Sequence, residues 1–488
     1  MLASRTRGPS RTLSHLLLAG CNPLAPHRQS QGLLQAGRAA GSSERQAVSN
    51  PSLAPVPLAT WLASVGREAD VHGGYRIAQI AAGAGHQLVS YTNYEGFDRI
   101  FALGRNEAGQ LGVGFASQEG TRGLVEGFQG DRILAVKAGV QSSFILVQDR
   151  DSTTLYSIGN LARGRLGHAN LTSQFNESEA APGEEPRQHV LPRATAVAAI
   201  GPIKQVEVGF EHALLLTDAG DVYGTGCNTD GQLGLGDATR DIPGFTKIDL
   251  PREVVNQEGG VARISAGADT SALVTVSGRV WTWGNSEYAQ AMHGRKIDQI
   301  LRPLEIDHSF VPANRRLVDY RCGGSFALAL DDRGSVYSAG FGALGLGEST
   351  LRSETTRRIE ALEGEGIGRI RAGWGYAAAV RDAGPDSAVF TWGLNSIHGR
   401  LGLGTRSPGS SSSSLPSSRS SDSTAPREAV AAAVRMHVHA PQQVALPLRE
   451  LGLDGTVAGR EGVPWRLGEV ELAMEGLWVG LEAEEDVD

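Results

Sequence analysis

Short apolar runs separated by glycines and polar turns recur along most of the chain. In one copy, residues 203–237, an alternating run ends at Gly209, and an apolar run from Ala213 to Leu216 leads into a polar turn. A second short run follows the turn and ends at Gly226. Runs of this length that contain β-branched residues and are bounded by Gly and Asp predict strands rather than helices. Each copy therefore predicts a small antiparallel sheet.

Two marker glycines recur in six such copies. The first ends the alternating run, and the second ends the strand after the turn. Steps between the first markers are 56, 70, 58, 56 and 50 residues, a period in the range of propeller blades. One small sheet cannot bury both of its faces, whereas radial stacking of several sheets does, so the repeat predicts an all-β propeller. The first markers are Gly83, Gly139, Gly209, Gly267, Gly323 and Gly373, and the second are Gly104, Gly159, Gly226, Gly284, Gly340 and Gly393.

The first and third copies carry a family resemblance. The segments AGAGHQL and ALGRNEAGQLGVG, and likewise VGFEHALLLTDAGDVY and GCNTDGQLGLG, resemble the repeat of the regulator of chromosome condensation family. Within that family the chain is most similar to the mitochondrial member, on the segments WGNSEYAQ (283–290) and GFGALGLG (340–347). The resemblance covers roughly residues 77–405. It implies a seven-bladed β-propeller over residues 77–481, with six clear blades and a degenerate seventh at 463–481.

The loops that follow the first marker glycines form the candidate partner-binding face, because equivalent loops on a ring converge around its axis on one side. In the family's chromatin-bound member such loops contact a small GTPase and help to expel its nucleotide. Among them, Glu211 and Asp269 are the carboxylates suited to pair with the GTPase lysine that normally holds phosphate. The alternative is that the loop histidines and their replacements hydrogen-bond neighbouring blades. The resemblance assigns this face to His86, Gln141, Ser142, Glu211, His212, Asp269, Thr270, Trp374 and Tyr376.

Residues 1–45 differ in composition from the rest of the chain. They hold six arginines, no lysine and no acidic residue before Glu44. The leucines between Leu13 and Leu18, with Arg11 and His15, can form a short helix with one apolar and one basic face. Such a segment is typical of a mitochondrial presequence, so we expect a mitochondrial protein, in the matrix or associated with the inner membrane. The alternative is a disordered basic tail.

The remaining boundaries follow from composition. Residues 46–76 are expected to be a linker, and residues 405–427 a Ser-rich disordered insert that cannot pack a core. Residues 482–488 are expected to form an acidic tail. No apolar run approaches the roughly 20 residues needed to span a membrane, so no transmembrane segment is expected.

Charge and motifs narrow the function classes. The chain carries a net charge of −8, and without residues 1–45 it carries −13, which disfavours direct RNA binding and favours protein partners. The three cysteines have no disulfide or metal-ligand spacing, and His437 with His439 is a metal half-site that lacks partners in the sequence. No P-loop, HExxH, CxxC or GxSxG motif occurs. We therefore expect no cofactor, no metal and no bond-making or bond-breaking chemistry.

Two functional hypotheses remain open. The resemblance implies a guanine-nucleotide exchange factor for a mitochondrial GTPase. The alternative is a non-catalytic scaffold that binds assembly factors of the mitochondrial ribosome's large subunit and its rRNA-modifying enzymes. Repeat propellers serve as general binding platforms, so the fold alone does not decide between them.

Overall fold

Seven four-stranded antiparallel sheets form the blades of a β-propeller ring. This architecture is seen in a computed structural model of the chain, and it confirms the predicted fold class. The structure describes residues 11–21, 49–150, 152–172, 190–257, 260–347, 350–396, 400–403, 437–448, 465–472 and 476–485.

The strands follow one another with short connections in most blades. In chain order they are β1 (Arg11–Cys21), β2 (Ser49–Pro55), β3 (Tyr75–Ala82), β4 (His86–Asn93), β5 (Asp98–Asn106), β6 (Ser117–Leu124), β7 (Arg132–Ala138), β8 (Ser142–Asp149), β9 (Ser152–Asn160), β10 (Val190–Ala196), β11 (Ile203–Val208), β12 (His212–Thr217), β13 (Val222–Gly226), β14 (Ile242–Lys247), β15 (Val261–Ala266), β16 (Thr270–Thr275), β17 (Val280–Asn285), β18 (Gln299–Glu305), β19 (Leu317–Cys322), β20 (Phe326–Asp331), β21 (Val336–Phe341), β22 (Arg352–Arg358), β23 (Arg369–Ala372), β24 (Tyr376–Arg381), β25 (Ala388–Leu394), β26 (His437–Gln443), β27 (Trp465–Leu472) and β28 (Gly476–Glu485).

The helices of the described residues are short and lie outside the blades. None of them is long and apolar enough to cross a membrane. They are α1 (Leu58–Ala63), α2 (Glu68–Gly73) and α3 (Ala169–Thr172), with 3-10 turns at Ala162–Gly164, Glu360–Leu362 and Gly384–Asp386 and a π-helical turn at Glu253–Gln257.

Blades 1 to 6 correspond to the six predicted copies. They comprise β3–β6, β7–β10, β11–β14, β15–β18, β19–β22 and β23–β26, each with its first strand innermost. In blade 3 the second strand, β12, is buried at all six positions, because neighbouring blades cover both faces of the sheet. Apolar side chains from adjacent blades form the core between them, and the indole nitrogen of Trp283 donates to the Gln232 carbonyl of the preceding blade at 2.9 Å.

Backbone packing explains the second set of marker glycines and part of the first. At the first set, a Cβ on Gly209 would lie 2.4 Å from the carbonyl oxygen of Gly267 in the next blade. At the second set, Gly226 has a φ of 106°, and a Cβ there would lie 2.3 Å from the Glu211 carbonyl oxygen. A Cβ atom essentially never makes contacts this short, so glycine is required at Gly209 and at Gly226.

The seventh blade is built from both parts of the chain that flank the repeats. Its strand order is β27-β28-β1-β2, so the predicted C-terminal pair is innermost and an N-terminal pair completes the sheet. Strands β1 and β28 pair continuously from Arg11 opposite Glu485 to Gly20 opposite Gly476. The ring is therefore closed by strands from the beginning and the end of the described chain.

This closure corrects three expectations. The segment Arg11–Cys21 is a strand rather than the expected amphipathic helix, and it lies inside the stretch assigned to the presequence. Residues 46–76 are not a linker, because they contain β2, α1 and α2, with Leu58 and Leu62 buried. The acidic tail begins later than expected, since β28 extends through Glu485.

A sequence signal for the N-terminal strand exists. The segment Ala19–Asn22 (AGCN) matches residues 225–228 (TGCN) of the third copy, so Gly20 occupies the second marker position. The pairing agrees, because Gly20 lies opposite Gly476 as Gly226 lies opposite His212. This seventh copy is hard to recognise in the sequence, because the Arg-rich composition of residues 1–45 favours a presequence instead. The Ser-rich insert, residues 405–427, lies outside the described residues.

Candidate partner-binding face

Six inner loops meet around the axis at one end of the ring; they comprise residues 83–85, 139–141, 209–211, 267–269, 323–325 and 373–375. Backbone hydrogen bonds join the loops of blades 1 and 2, and they join the loops of blades 3 to 6 in succession. The amide of Ala268 donates to Gly323 O at 3.0 Å, and that of Gly324 donates to Gly373 O at 3.2 Å. The amide of Phe210 donates to Gly267 O at 3.1 Å. These six loops, which we call the collar, are therefore each held to a neighbouring loop by their backbones and do not behave as independent flexible segments.

The innermost strands enclose an axial channel of about 600 Å³ below this collar. Its wall carries ion pairs between blades, with Lys137 Nζ 3.0 Å from Glu207 and Arg321 3.7 Å from the same carboxylate. Burial would raise the pKa of Glu207, but Lys137 and Arg321 outweigh it and hold the pKa below its ordinary value. These charges are thus paired with one another and connect blades 2, 3 and 5 across the channel.

The two loop histidines lie between blades. His86 is fully buried, and its Nε2 is 2.9 Å from Ser143 Oγ of the next blade; His212 and Ser271 repeat this contact at 2.9 Å. Burial lowers the pKa of both histidines to about 4, so they are neutral at pH 7. In this structure they hold blades together, which is the alternative weighed for them from the sequence.

Three more of the nine residues are also buried. Thr270 donates to the Asn285 carbonyl at 2.7 Å within its own blade, and Tyr376 donates to the Gly476 carbonyl of blade 7 at 2.8 Å. Ser142 is 2% exposed. These side chains face the interior. The residues that remain for the candidate face are therefore Gln141, Glu211, Asp269 and Trp374.

Gln141 and Glu211 are partly exposed and already bonded. Gln141 Oε1 accepts from Asn160 at 2.8 Å. The Glu211 carboxylate accepts from Arg165 at 2.9 Å and lies 3.4 Å from Arg163 Nε. The charge of Glu211 is therefore compensated by arginines of the preceding blade.

Asp269 has a different environment. Its Oδ1 accepts a long bond from Gln232 at 3.4 Å, and no lysine or arginine of the described residues forms an ion pair with it. Burial, together with the negative charges of Asp230 and Glu211, raises the pKa of Asp269 to about 6, although the charge of Arg163 opposes this rise. This carboxylate thus lies in a region of excess negative potential on the face.

Trp374 reaches across the collar to the opposite side of the ring. Its ring centroid is 4.2 Å from that of Phe210, at an interplanar angle of 53°. The two residues belong to the inner loops of blades 6 and 3, and Trp374 also lines the channel. Sequence reasoning named Trp374 and missed Phe210, although Phe210 stands beside Glu211 in the same loop.

Arg165 is a second residue that the sequence reasoning missed. The GQLG segment has Gln110, Gln232 and Gln290 in blades 1, 3 and 4, and Arg165 takes this position in blade 2. In blade 3, Gln232 bonds the acidic residue of the next inner loop, and Arg165 does the same with Glu211. The replacement of Gln by Arg beside an acidic loop residue was a readable signal for this ion pair.

Metal chemistry finds no support among the described residues, which contain no group of three or more His, Cys, Asp or Glu side chains arranged to hold an ion. His437 and His439 lie next to each other on β26, with ring centroids 4.6 Å apart. Burial and the neighbouring His439 and Arg400 lower the pKa of His437 to about 4.

The repeat register and the closed ring agree with a family model described as the RCC1-like domain, which matches residues 52–434. The chain belongs to this family. The match begins within the second half of β2 and so includes part of blade 7.

Several relatives support the assignment. The RCC1-like G exchanging factor-like protein of Homo sapiens is 28% identical over 352 residues, covering 67% of this chain and 69% of that protein. The ultraviolet-B receptor UVR8 of Arabidopsis thaliana is 27% identical over 332 residues, covering 67% of each chain. Family members with quite different names thus share this repeat.

Solved structures show the same fold. Human WBSCR16 superposes with a TM-score of 0.65 at 20% identity, covering 96% of this chain and 98% of that one. Yeast RCC1 (Prp20), solved bound to Kap60, gives a TM-score of 0.61 at 15% identity, covering 99% and 92%. At these identities the likeness concerns the fold alone.

Proposed function

We propose that this chain is a guanine-nucleotide exchange factor for a small GTPase and that it acts through the inner loops. Family membership and the similarity to a relative named as a G exchanging factor-like protein support the activity. The observation that carries the site is the carboxylate of Asp269, which lies on the collar among other negative charges and without a cationic partner among the described residues.

An exchange factor must bind the nucleotide-free GTPase better than the nucleotide-bound form, since only differential affinity shifts the equilibrium. Asp269 is suited to this task, because a lysine of the GTPase that is released from phosphate can pair with it. Such a pair relieves the repulsion from Asp230 and Glu211 that raises the pKa of Asp269. Glu211 is a weaker candidate, because Arg165 and Arg163 already compensate it.

The collar adds preorganisation. Its loops are joined by backbone hydrogen bonds, so little conformational entropy is lost when a partner docks. The aromatic pair of Phe210 and Trp374 lies near the centre of this face, where residues that dominate binding energy are commonly found.

We also propose that the protein works in the mitochondrion. The first ten residues contain Arg5 and Arg7 and no acidic residue, and the whole stretch before Glu44 lacks acids. Basic, acid-poor segments of this kind are typical of mitochondrial targeting. A reporter fused after Arg45 that stays in the cytosol would contradict this location.

The activity is tested by the release of labelled GDP from purified candidate GTPases of the mitochondrion, with and without the full chain. We expect acceleration by the unmodified protein and a loss of most of it in Asp269→Asn. The matched control is Asp298→Asn, which removes a 71% exposed carboxylate elsewhere on blade 4. If the unmodified protein accelerates release from none of these GTPases, the exchange-factor proposal is wrong.

A specific observation favours the second candidate, a scaffold for assembly factors of the mitochondrial ribosome's large subunit and its rRNA-modifying enzymes. Both loop histidines are committed to contacts between blades rather than to the surface. As a scaffold, the protein would leave nucleotide release unchanged, and Asp269→Ala combined with Glu211→Ala would have no effect on it. The scaffold function would instead depend on several of the inner loops together.

A further inference from the structure

We propose that the segment Arg11–Cys21 is retained in the functional protein as the strand that closes the propeller, and that recognition of this segment by an import receptor and closure of the ring exclude each other. The statement about the import receptor rests on the mitochondrial location proposed above. The statement that β1 closes the propeller rests on contacts within the chain.

The strand is held at both edges. On one edge β1 pairs with β28 without interruption from Arg11 to Gly20. On the other edge it pairs with β2, where Leu17 lies opposite Pro55, and the Val56 amide donates to Leu16 O at 2.8 Å. A strand bonded on both sides is an interior member of its sheet, so its loss would leave two unpaired edges in blade 7.

Both faces of the strand are buried as well. Leu16 and Leu18 pack into the core shared with blade 1, beside Trp61 of α1. Leu17 and Ala19 face the opposite way, into the core shared with blade 6. All four side chains are at most 3% exposed. The segment therefore joins the first and last parts of the ring on two sides at once.

This geometry links folding to targeting. A receptor for amphipathic presequences binds the apolar side chains of the segment, and Leu16 to Leu18 are the apolar residues that fill the two blade interfaces. In the closed ring these side chains are unavailable, so the form that a receptor can recognise is the open ring. Processing at any point after Cys21 would cut β1 away from the rest of the chain.

The first experiment presents isolated mitochondria with the full chain, either folded or freshly diluted from urea. We expect the unfolded chain to enter and the folded chain to be excluded, and the imported protein, mapped by intact mass and N-terminal sequencing, to begin at or before residue 11. Import of the folded chain at the rate of the unfolded one would overturn the exclusion. An imported protein that begins after Cys21 yet melts as cooperatively as the full chain would overturn retention.

The second experiment decides the closing role without the organelle. In the full chain, Leu17→Ala should lower the melting temperature by roughly 5 °C, because a buried leucine is truncated at a blade interface. Leu17→Asp should abolish the cooperative transition. The control Thr60→Asp changes an exposed position on α1 and should melt like the unmodified protein. An unchanged melt in both Leu17 variants would overturn the role of β1 in closing the ring. Failure of the unfolded chain to enter mitochondria would overturn the statement about the import receptor together with the proposed location, and it would leave the closing role untouched.

Discussion

Phe210 and Trp374, 164 positions apart in the sequence, contact each other across the axis of the propeller, with ring centroids 4.2 Å apart and ring planes tilted by 53°. Their loops belong to blades 3 and 6, which share no sheet. The contact therefore connects opposite sides of the ring at the mouth of the channel.

Phe210 and Trp374 should be energetically coupled. Aromatic pairs contribute about 0.5–1.5 kcal/mol beyond the area they bury, so a double-mutant cycle of Phe210→Ala and Trp374→Ala should show a coupling free energy of that size. The measurement is urea unfolding of the two single variants and the double variant. A control cycle of Phe210→Ala with Phe341→Ala should be additive, because Phe341 stacks on Tyr288 instead.

The second marker glycines should not accept a side chain. Gly226→Ala should lower the free energy of unfolding by about 2–4 kcal/mol, because the new Cβ meets the Glu211 carbonyl and the backbone has a positive φ. Gly324→Ala, in the inner loop of blade 5, is the matched control, since the atom nearest to the new Cβ would lie 3.8 Å away. Equal thermal melting of the two variants would count against this backbone contact.

Acid should destabilise the protein through the two buried histidines. Their folded-state pKa of about 4 lies below the ordinary value of 6.5, so the unfolded state takes up protons first. Stability is unaffected above pH 6.5 and falls as the pH drops from 6.5 towards 4. At pH 5 each of His86 and His212 should cost about 2 kcal/mol.

Urea unfolding at pH 7.5 and pH 5 measures this loss. The double variant His86→Gln with His212→Gln should show a smaller decrease between the two pH values, although it is less stable at both. His72→Gln, at an exposed position of α2, serves as the control and should keep the full decrease. A decrease that is identical in all three proteins would assign the acid effect to other groups.

Arg371 should stabilise the junction of blades 6 and 7. Its Nε donates to Val470 O at 3.0 Å, and its guanidinium lies 3.4 Å from Glu469 and from Glu471. Arg371→Gln should therefore lower the free energy of unfolding by about 2 kcal/mol, because it leaves partly buried carboxylates without a partner. Arg352→Gln, in an exposed pair with Glu354, should cost less than 1 kcal/mol.

The effect of Arg371→Gln should grow with pH. Burial raises the pKa of Glu471, and Arg371 opposes that rise together with Lys137, while Glu469 and Glu207 add to it. A carboxyl whose pKa is higher in the folded state binds its proton more tightly there, so stability falls as the pH rises from the unfolded-state pKa through the folded-state value. Unfolding midpoints at pH 5 and pH 8 should therefore differ more in this variant than in the unmodified protein.

The candidate site illustrates how far local sequence reasoning extends. Glu211 and Asp269 occupy the same place in their repeats and were equivalent as sequence positions. The structure separates them, because Arg165 and Arg163 from the preceding blade form ion pairs with Glu211, whereas Arg163 acts on Asp269 only through its more distant charge. Partners on a neighbouring blade are tens of residues away in the chain, and only the assembled ring places them.

The sequence by itself determined the repeat, its strands and the all-β ring. The glycines recur at fixed intervals and can therefore be recognised in the sequence. At Gly226, for example, the positive φ and the close approach of a neighbouring carbonyl exclude every other residue. Alternation and turn residues then fixed the strands, since a sheet buried between two others needs apolar side chains on both of its faces.

Only the tertiary structure decided how the ring closes and which loop residues remain accessible. The composition of Arg11–Cys21 fits both a targeting helix and a strand, and the choice falls to the strand because β28 and β2 offer it two edges and two apolar interfaces. His86 likewise is polar and directly follows an inner loop, yet its side chain is buried, with Nε2 2.9 Å from the Ser143 hydroxyl of the next blade. Both outcomes depend on contacts between segments that are distant in sequence, and a local pattern carries no information about such contacts.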